Sequence, residues 1–272
     1  VLVSIVIIIL SLVWWAVHTS VAADALCALL NIETSSFGIQ RLLITTLVGI
    51  LFAIPSVLGY SSIKWVDYIA MPAGIILIIA ALYYAFENFG FDTIMSWNPE
   101  STMSWSQGIN LIISVNVSQW LIAADYTRDA KPTWRDNMLI PLGIILVGFP
   151  LFLVGGIMSI GVGNADIVGV MDNLGFPAWG FIVLWIATWT SQLVSNYTGG
   201  LVLFNMTNRK TDRERKVMTM LFAVVGIFLA SIGIMSQFEN FLYLTALLVP
   251  VIAGVIMTHF FTSKEYENVQ IG

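Results

Sequence analysis

The sequence predicts an all-α membrane protein, and two observations carry this prediction. Hydrophobic residues make up 58% of the 272 residues and charged residues only 10%, with a mean hydropathy of +0.89. Soluble domains carry roughly 25% charged residues. Apolar runs long enough to cross a hydrocarbon core of about 30 Å, at about 1.5 Å per residue, occur eight times. We therefore expect eight transmembrane helices.

The predicted spans follow one another with short gaps, at residues 1–30, 42–60, 65–86, 107–124, 138–161, 178–204, 217–236 and 241–261. The second, third and seventh are almost uniformly apolar and suit a lipid-facing scaffold. The first, fourth and sixth carry polar side chains, and burying a polar group without a partner is costly. These three spans therefore need neighbouring helices, water or a ligand.

The gaps alternate in their content of Lys and Arg, which predicts the orientation. One set of gaps holds ten cations, namely Lys64, Arg128, Lys131, Arg135, Arg209, Lys210, Arg213, Arg215, Lys216 and Lys264, and the other set holds Arg41. Cytoplasmic loops of membrane proteins are enriched in these residues. We expect a multi-pass protein of the cell (inner) membrane whose first span begins on the cytoplasmic side.

The ends and loops of the chain exclude several other interpretations. The chain starts inside an apolar run, without an initiator Met, a charged leader or a cleavage site, so we interpret it as a fragment rather than as a chain with a signal peptide. Cys27 is the single cysteine, which excludes a disulfide framework. No basic cluster suggests nucleic acid, and no enzyme motif is present.

In the first span, Ser11, Trp14 and His18 lie at positions i, i+3 and i+7, on one helical face. An aromatic plate and a titratable ring should therefore face the same neighbour. They either pack in a helix interface or form part of a binding site, since a His inside a membrane is a functional candidate by default.

The fourth span is the least apolar, and its polar residues are Gln107, Asn110, Ser114, Asn116, Ser118 and Gln119. Asn116, Gln119 and Trp120 cluster within one turn. So many amides suit a helix that is interrupted or lines a cavity, because irregular backbone at membrane depth is tolerated only there. An amphipathic helix packed inside the bundle is the alternative.

In the sixth span, Ala187, Thr190 and Ser191 have i, i+3, i+4 spacing. Two hydroxyls and a carbonyl freed one turn earlier supply three oxygen ligands, which suit a hard cation such as Na⁺. Ser and Thr also commonly bond to their own helix, so an ordinary packed helix remains the alternative.

Several short motifs give the chain a resemblance to a known family. Residues 124–128 read Ala-Asp-Tyr-Thr-Arg and lead into Ala130-Lys131, the sixth span carries Trp189-Thr190-Ser191, and the end of the chain carries Pro250, Gly254-Val255-Ile256 and Tyr266-Glu267. Together with Trp14, these resemble the nucleobase:cation symporter family, nearest to its cytosine and purine permeases. The order and spacing match over nearly the whole chain.

The resemblance implies a leucine-transporter-type bundle of two inverted five-helix repeats. Residues 1–272 would form one transmembrane transporter domain containing helices three to ten, with helices one and two and any C-terminal helices outside it. The resemblance also implies that Trp14 is the stacking aromatic of helix three, with His18 where some members place a Gln. Asn196 is similar to a substrate-binding amide of helix eight, and Ala187, Thr190 and Ser191 resemble half of a Na⁺ site.

The expected function is therefore cation-coupled import of a nucleobase or related heterocycle, by a monomer in the lipid bilayer, with Na⁺ or H⁺ as the coupling ion and no other cofactor. The expected substrate-binding residues are Trp14, His18, Asn116, Ser118, Gln119 and Asn196. Cytosine itself is not a firm expectation, because Asn116 stands where cytosine-type members carry an aromatic residue. Hydantoins, allantoin, a vitamin precursor or an amino acid are alternative cargoes. A channel, or a membrane-embedded enzyme using His18 and Asp24, is a further alternative.

Overall fold

The computed structural model describes residues 2–32, 38–98, 103–121, 131, 133–164 and 166–263, and within these ranges the regular structure is entirely helical. The helices are α1 (Leu2–Leu29), α2 (Ile39–Leu58), α3 (Tyr60–Met95), α4 (Trp105–Leu121), α5 (Trp134–Val162), α6 (Ile167–Asn173), α7 (Ala178–Met206), α8 (Asp212–Ser231), a 3-10 helix (Ile234–Gln237) and α9 (Phe238–Ser263). The predicted all-α class is confirmed.

Five of the described helical segments are long and apolar enough to cross a membrane: α1, α2, α3, α7, and the 3-10 helix continued by α9. The end of α5 and the short helix α6 form a sixth such segment if the pair, bent by 58°, is taken as one span. The helices that hold the fourth and seventh predicted spans, α4 and α8, do not meet this test either alone or in such a pair. Helix α4 has 17 residues, and α8 begins with the five charged residues 212–216.

The sequence-based boundary between the second and third spans is wrong. We expected a loop around Lys64, but a single residue, Gly59, separates α2 from α3. Its φ of +124° is a conformation that favours glycine, and its N–H donates to the carbonyl of Pro55. Helix α3 then runs for 36 residues and is interrupted at Gly90, whose φ is +73°.

Helix α6 is an element that the sequence did not predict. It follows α5, which ends at Gly163 in a left-handed conformation with φ of +72°. The carboxylate of Asp166 accepts hydrogen bonds from the backbone N–H groups of Val168 and Gly169, at 3.3 and 3.1 Å, and so begins the new helix. The seven residues of α6 are too few to give a span-length hydropathy signal.

Helices α1, α2, α7 and α8 pack closely together, and we call them the four-helix unit. Glycines allow this close packing. A Cβ atom on Gly226 of α8 would lie 1.8 Å from the Trp15 ring of α1, and one on Gly49 of α2 would lie 2.4 Å from Ile227 of α8. The Trp15 indole N–H also donates to the carbonyl of Ala223, at 3.1 Å.

The remaining helices differ in how closely they contact this unit. Helix α3 packs against α7 and α5, with Ala81, Ala85, Val154 and Met158 in their shared apolar cluster. Helix α4 makes its main contact with α9, not with the four-helix unit. The polar side chains of α4 and those of α7 therefore lie in different parts of the bundle.

Candidate functional site

Trp14 and His18 of α1 meet as the sequence predicts. Their rings stack at a centroid distance of 5.5 Å with an interplanar angle of 28°. Phe238 and Phe241 of α9 contact the Trp14 ring in edge arrangements at 5.6 and 6.0 Å. The Trp14 Nε1 and His18 Nδ1 atoms are buried and have no hydrogen-bond partner within the described residues. These two nitrogens lie one helical turn apart on α1.

Ala187, Thr190 and Ser191 of α7 line one cavity of about 320 Å³. The other walls come from α3, α5 and α6, and they are largely apolar, with Gly74, Leu151 and further aliphatic side chains. The Thr190 hydroxyl donates to the Ala187 carbonyl at 3.0 Å, which is the bond to its own helix that we considered as an alternative. A cation binding both oxygens would have to replace this bond, and it would need further oxygen ligands from elsewhere.

Asn196 lies on the opposite side of α7 from that cavity. It is fully buried, and its Nδ2 donates to the Ser56 hydroxyl of α2 at 2.5 Å. One turn earlier, the buried Gln192 donates from Nε2 to the Thr19 hydroxyl of α1. No hydrogen bond or ring contact within the described ranges joins Asn196 to Trp14 or His18. Asn196 bonds to α2, whereas Trp14 stacks on His18 and contacts α9, so the described contacts do not join Asn196 to that pair.

Asn116 of α4 donates from Nδ2 to the carbonyl of Ile112 in its own helix, at 3.1 Å. Its Oδ1 lies 4.0 Å from where a Cβ atom of Gly148 would stand, so its neighbour is α5. The side chains of Ser118 and Gln119 fall outside the described part of the structure. Of the two amides that were predicted to cluster within one turn, Asn116 and Gln119, only Asn116 has a described side chain.

The hydrogen bond between Thr19 and Gln192 is the feature of this region that sequence reasoning missed. Both are polar residues of spans that the sequence identified as unusual, but they lie 173 residues apart in the chain, and nothing in the sequence pairs them. Interhelical hydrogen bonds in membranes contribute on average about 0.6 kcal/mol. The Gln192 Oε1 atom is left without a partner in the described structure, and a buried unsatisfied acceptor costs about 1–3 kcal/mol. Stability alone does not explain this amide.

Two charged contacts hold opposite ends of the four-helix unit. Near one end, Arg41 of α2 makes a bidentate ion pair with Asp24 of α1: Nε donates to Oδ1 at 2.9 Å and an Nη atom donates to Oδ2 at 3.0 Å. Near the other, Arg215 of α8 donates to the Val57 carbonyl of α2 at 3.4 Å and lies over the Tyr197 ring of α7 at 5.9 Å. The unit is therefore tied by charged side chains outside its apolar middle.

The described residues form helices, five segments of which are long and apolar enough to cross a membrane, with polar side chains buried between them. Comparison with protein families supplies the class of protein: the family described as permease for cytosine/purines, uracil, thiamine, allantoin matches residues 1–270. The chain belongs to this permease family, and the predicted family is confirmed. No curated protein matches the chain.

Proposed function

We propose that the chain is the transmembrane domain of a secondary active transporter that imports a nucleobase or a related heterocycle together with a cation. The observation that carries this proposal is the permease-family match over residues 1–270. In the proposed arrangement, eight helices cross the inner membrane as part of a five-plus-five inverted repeat. The five cations of residues 209–216, two in the loop between α7 and α8 and three at the start of α8, face the cytoplasm.

The proposed coupling ion is Na⁺, bound beside Ala187, Thr190 and Ser191. Support comes from the oxygen atoms of Thr190 and Ala187, which are held 3.0 Å apart at the wall of a cavity. Inward movement of one charge gains about 2.3 kcal/mol per 100 mV of membrane potential. Coupling requires that the ion and the substrate each favour the other's binding by the same factor. H⁺ is the second candidate ion, with His18 as its carrier.

The proposed substrate is a flat heterocycle that carries amide groups. Trp14 offers an aromatic ring and an indole N–H donor, and His18 offers a ring nitrogen that can donate or accept. Both nitrogens are buried and unpaired in the described structure, which favours a ligand with polar atoms along its edge. Asn116, Ser118, Gln119 and Asn196 remain the proposed amide and hydroxyl contributors, although Asn196 would have to leave Ser56 to reach a ligand beside Trp14.

Cargo of another kind is the second proposal, because the family description spans cytosine and purines, uracil, thiamine and allantoin. Hydantoins, allantoin, a vitamin precursor or an amino acid would use the same helices with a differently shaped pocket. Fold alone does not choose among them.

Uptake by the complete protein in proteoliposomes tests the proposal. Labelled cytosine, uracil, adenine, allantoin and an amino acid mixture are offered under an inward Na⁺ gradient, and then with Na⁺ replaced by choline. We expect accumulation of at least one heterocycle that falls to the protein-free level in choline. Uptake of amino acids alone would favour the second proposal, and heterocycle uptake unchanged in choline would refute the Na⁺ assignment.

A further inference from the structure

The hydrogen bond between Gln192 and Thr19 joins the two helices that make the most extensive contact in the described structure, α7 and α1. Both side chains are fully buried. The Thr19 hydroxyl accepts from Gln192 Nε2 and itself donates to the Trp15 carbonyl at 2.8 Å. Each member of this chain of bonds is therefore held in one orientation.

The side-chain oxygen of Gln192, Oε1, accepts no hydrogen bond within the described residues. An apolar side chain of similar volume would fill the same space without leaving a buried acceptor unsatisfied. A directional bond, unlike an apolar contact, permits only one axial alignment of the two helices. Buried polar pairs are known to fix register between helices in this way.

The position of the pair along the chain links it to both proposed binding regions. Thr19 directly follows His18, and Gln192 directly follows Ser191. On each helix the bonding residue is turned about 100° from its neighbour, so the bond lies between the helices while His18 and Ser191 face elsewhere. A slip of one residue between α1 and α7 would displace one region against the other by about 1.5 Å.

We propose that Gln192 is a positioning residue for transport: through Thr19 it fixes the axial register of α7 against α1, and so the relative placement of the cation residues and of Trp14 and His18. This inference rests on the proposed function. It assigns no ligand contact to Gln192 or Thr19. It predicts that loss of the bond weakens the energetic coupling between cation and substrate more than it weakens the binding of either alone.

The test uses the complete protein, with Na⁺ and labelled uracil as probes. The measured quantity is the factor by which 100 mM NaCl, in place of choline chloride, raises the affinity for uracil. Typical couplings are about 5–150-fold. Thr19→Val and Gln192→Met remove the bond while keeping the side-chain size, and we expect the factor to fall to within about twofold of unity in both. Thr19→Ser, which keeps the hydroxyl, should restore it.

Ser20→Ala is the matched control. Ser20 is also fully buried in α1, but its hydroxyl donates to the Ala230 carbonyl of α8, at 3.3 Å, and not to α7. This variant should retain the parent's coupling factor. A parent-like factor in both Thr19→Val and Gln192→Met, or an equal loss in Ser20→Ala, would overturn the proposal.

A second measurement reads the register directly and does not depend on the substrate. Spin labels are placed at Ile9 of α1 and Met206 of α7, both exposed, in a Cys27→Ser background. We expect the distance distribution to shift or broaden in Thr19→Val and Gln192→Met and to stay narrow in Ser20→Ala. Unchanged distributions in both variants overturn the positioning role. A parent whose uracil affinity does not respond to Na⁺ instead contradicts the proposed Na⁺ coupling of uracil, and the register measurement then decides the positioning role alone.

Discussion

Gly200 lies where α7 crosses α8, and its replacement by Ala gives a prediction that follows directly from the packing. A Cβ atom at this position would stand 2.6 Å from Cα and 2.5 Å from Oγ1 of Thr219. Since Cα belongs to the backbone, no rotation of the Thr219 side chain relieves the contact. The two helices would have to separate locally by about 0.8 Å, from 2.6 Å to the 3.4 Å at which ordinary van der Waals contact begins.

Overpacking of this kind typically costs about 1–3 kcal/mol. With about 2–4 °C lost per kcal/mol in a chain of this general size, we expect Gly200→Ala to lower the thermal unfolding midpoint in detergent by about 2–12 °C. Gly254→Ala in α9 is the control, because a Cβ atom there meets nothing within 4 Å. Ala has a higher helix propensity than Gly, so the control should unfold at the parent's midpoint or slightly above it. Equal midpoints for the two variants would refute the account of the α7–α8 crossing.

Three further perturbations test other parts of the structure. Asp24→Asn removes the negative charge beside Arg41. Because the Asp24 and Arg41 side chains are only 26% and 11% exposed, we expect the protein to be destabilised by about 1–3 kcal/mol. An unchanged thermal unfolding midpoint would mean that the ion pair does not contribute to stability. Glu214 accepts hydrogen bonds from the hydroxyl and backbone of Thr211, which lower its pKa from 4.5 to about 2. The stabilisation that ionised Glu214 provides should therefore be complete above pH 4.5 and lost as the pH falls toward 2. The difference in unfolding free energy between the parent and Glu214→Gln should shrink over that window, and a constant difference would contradict this account. Gly59→Ala forces a φ of +124° on a residue with a side chain and should destabilise by about 1–3 kcal/mol, whereas a neutral result would mean that the turn between α2 and α3 relaxes freely.

Much of the helical content could be predicted from the sequence, because a helix that crosses lipid needs about twenty consecutive apolar residues and such runs are visible in the hydropathy. Each of the eight predicted spans contains a helix in the structure. The boundary at Lys64 failed because hydropathy reports polarity and not backbone geometry. One residue with a positive φ, Gly59, suffices to separate α2 from α3, so the polar residues that follow belong to a helix.

The site was predictable only where its contacts are local. Trp14 and His18 stack because they are one turn apart on one helix, and Thr190 bonds Ala187 for the same reason. Helical periodicity contains this information. It contains nothing about which helix faces which, and so the bond of Asn196 to Ser56 could not be foreseen.

The sequence also contains no sign of which glycines lie at helix crossings. Gly226 looks like any other glycine of an apolar helix, yet it provides the space into which the Trp15 ring fits. The neighbouring Trp14, which motif resemblance singled out, faces α9. Two adjacent tryptophans thus have different surroundings, because a step of one residue turns a helix by about 100°.

Uptake by a variant that lacks the two hydroxyls at the cavity wall, Thr190→Ala with Ser191→Ala, tests the central claim of Na⁺-coupled transport most directly. Thr46→Ala serves as its control, since the Thr46 hydroxyl likewise bonds its own helix, at Leu42, but lies in α2. Initial rates are measured with the complete protein over a range of Na⁺ concentrations, using whichever heterocycle the parent accumulates. We predict that the double variant loses its response to Na⁺ while Thr46→Ala keeps the parent's response. A double variant with the parent's Na⁺ dependence would contradict the account.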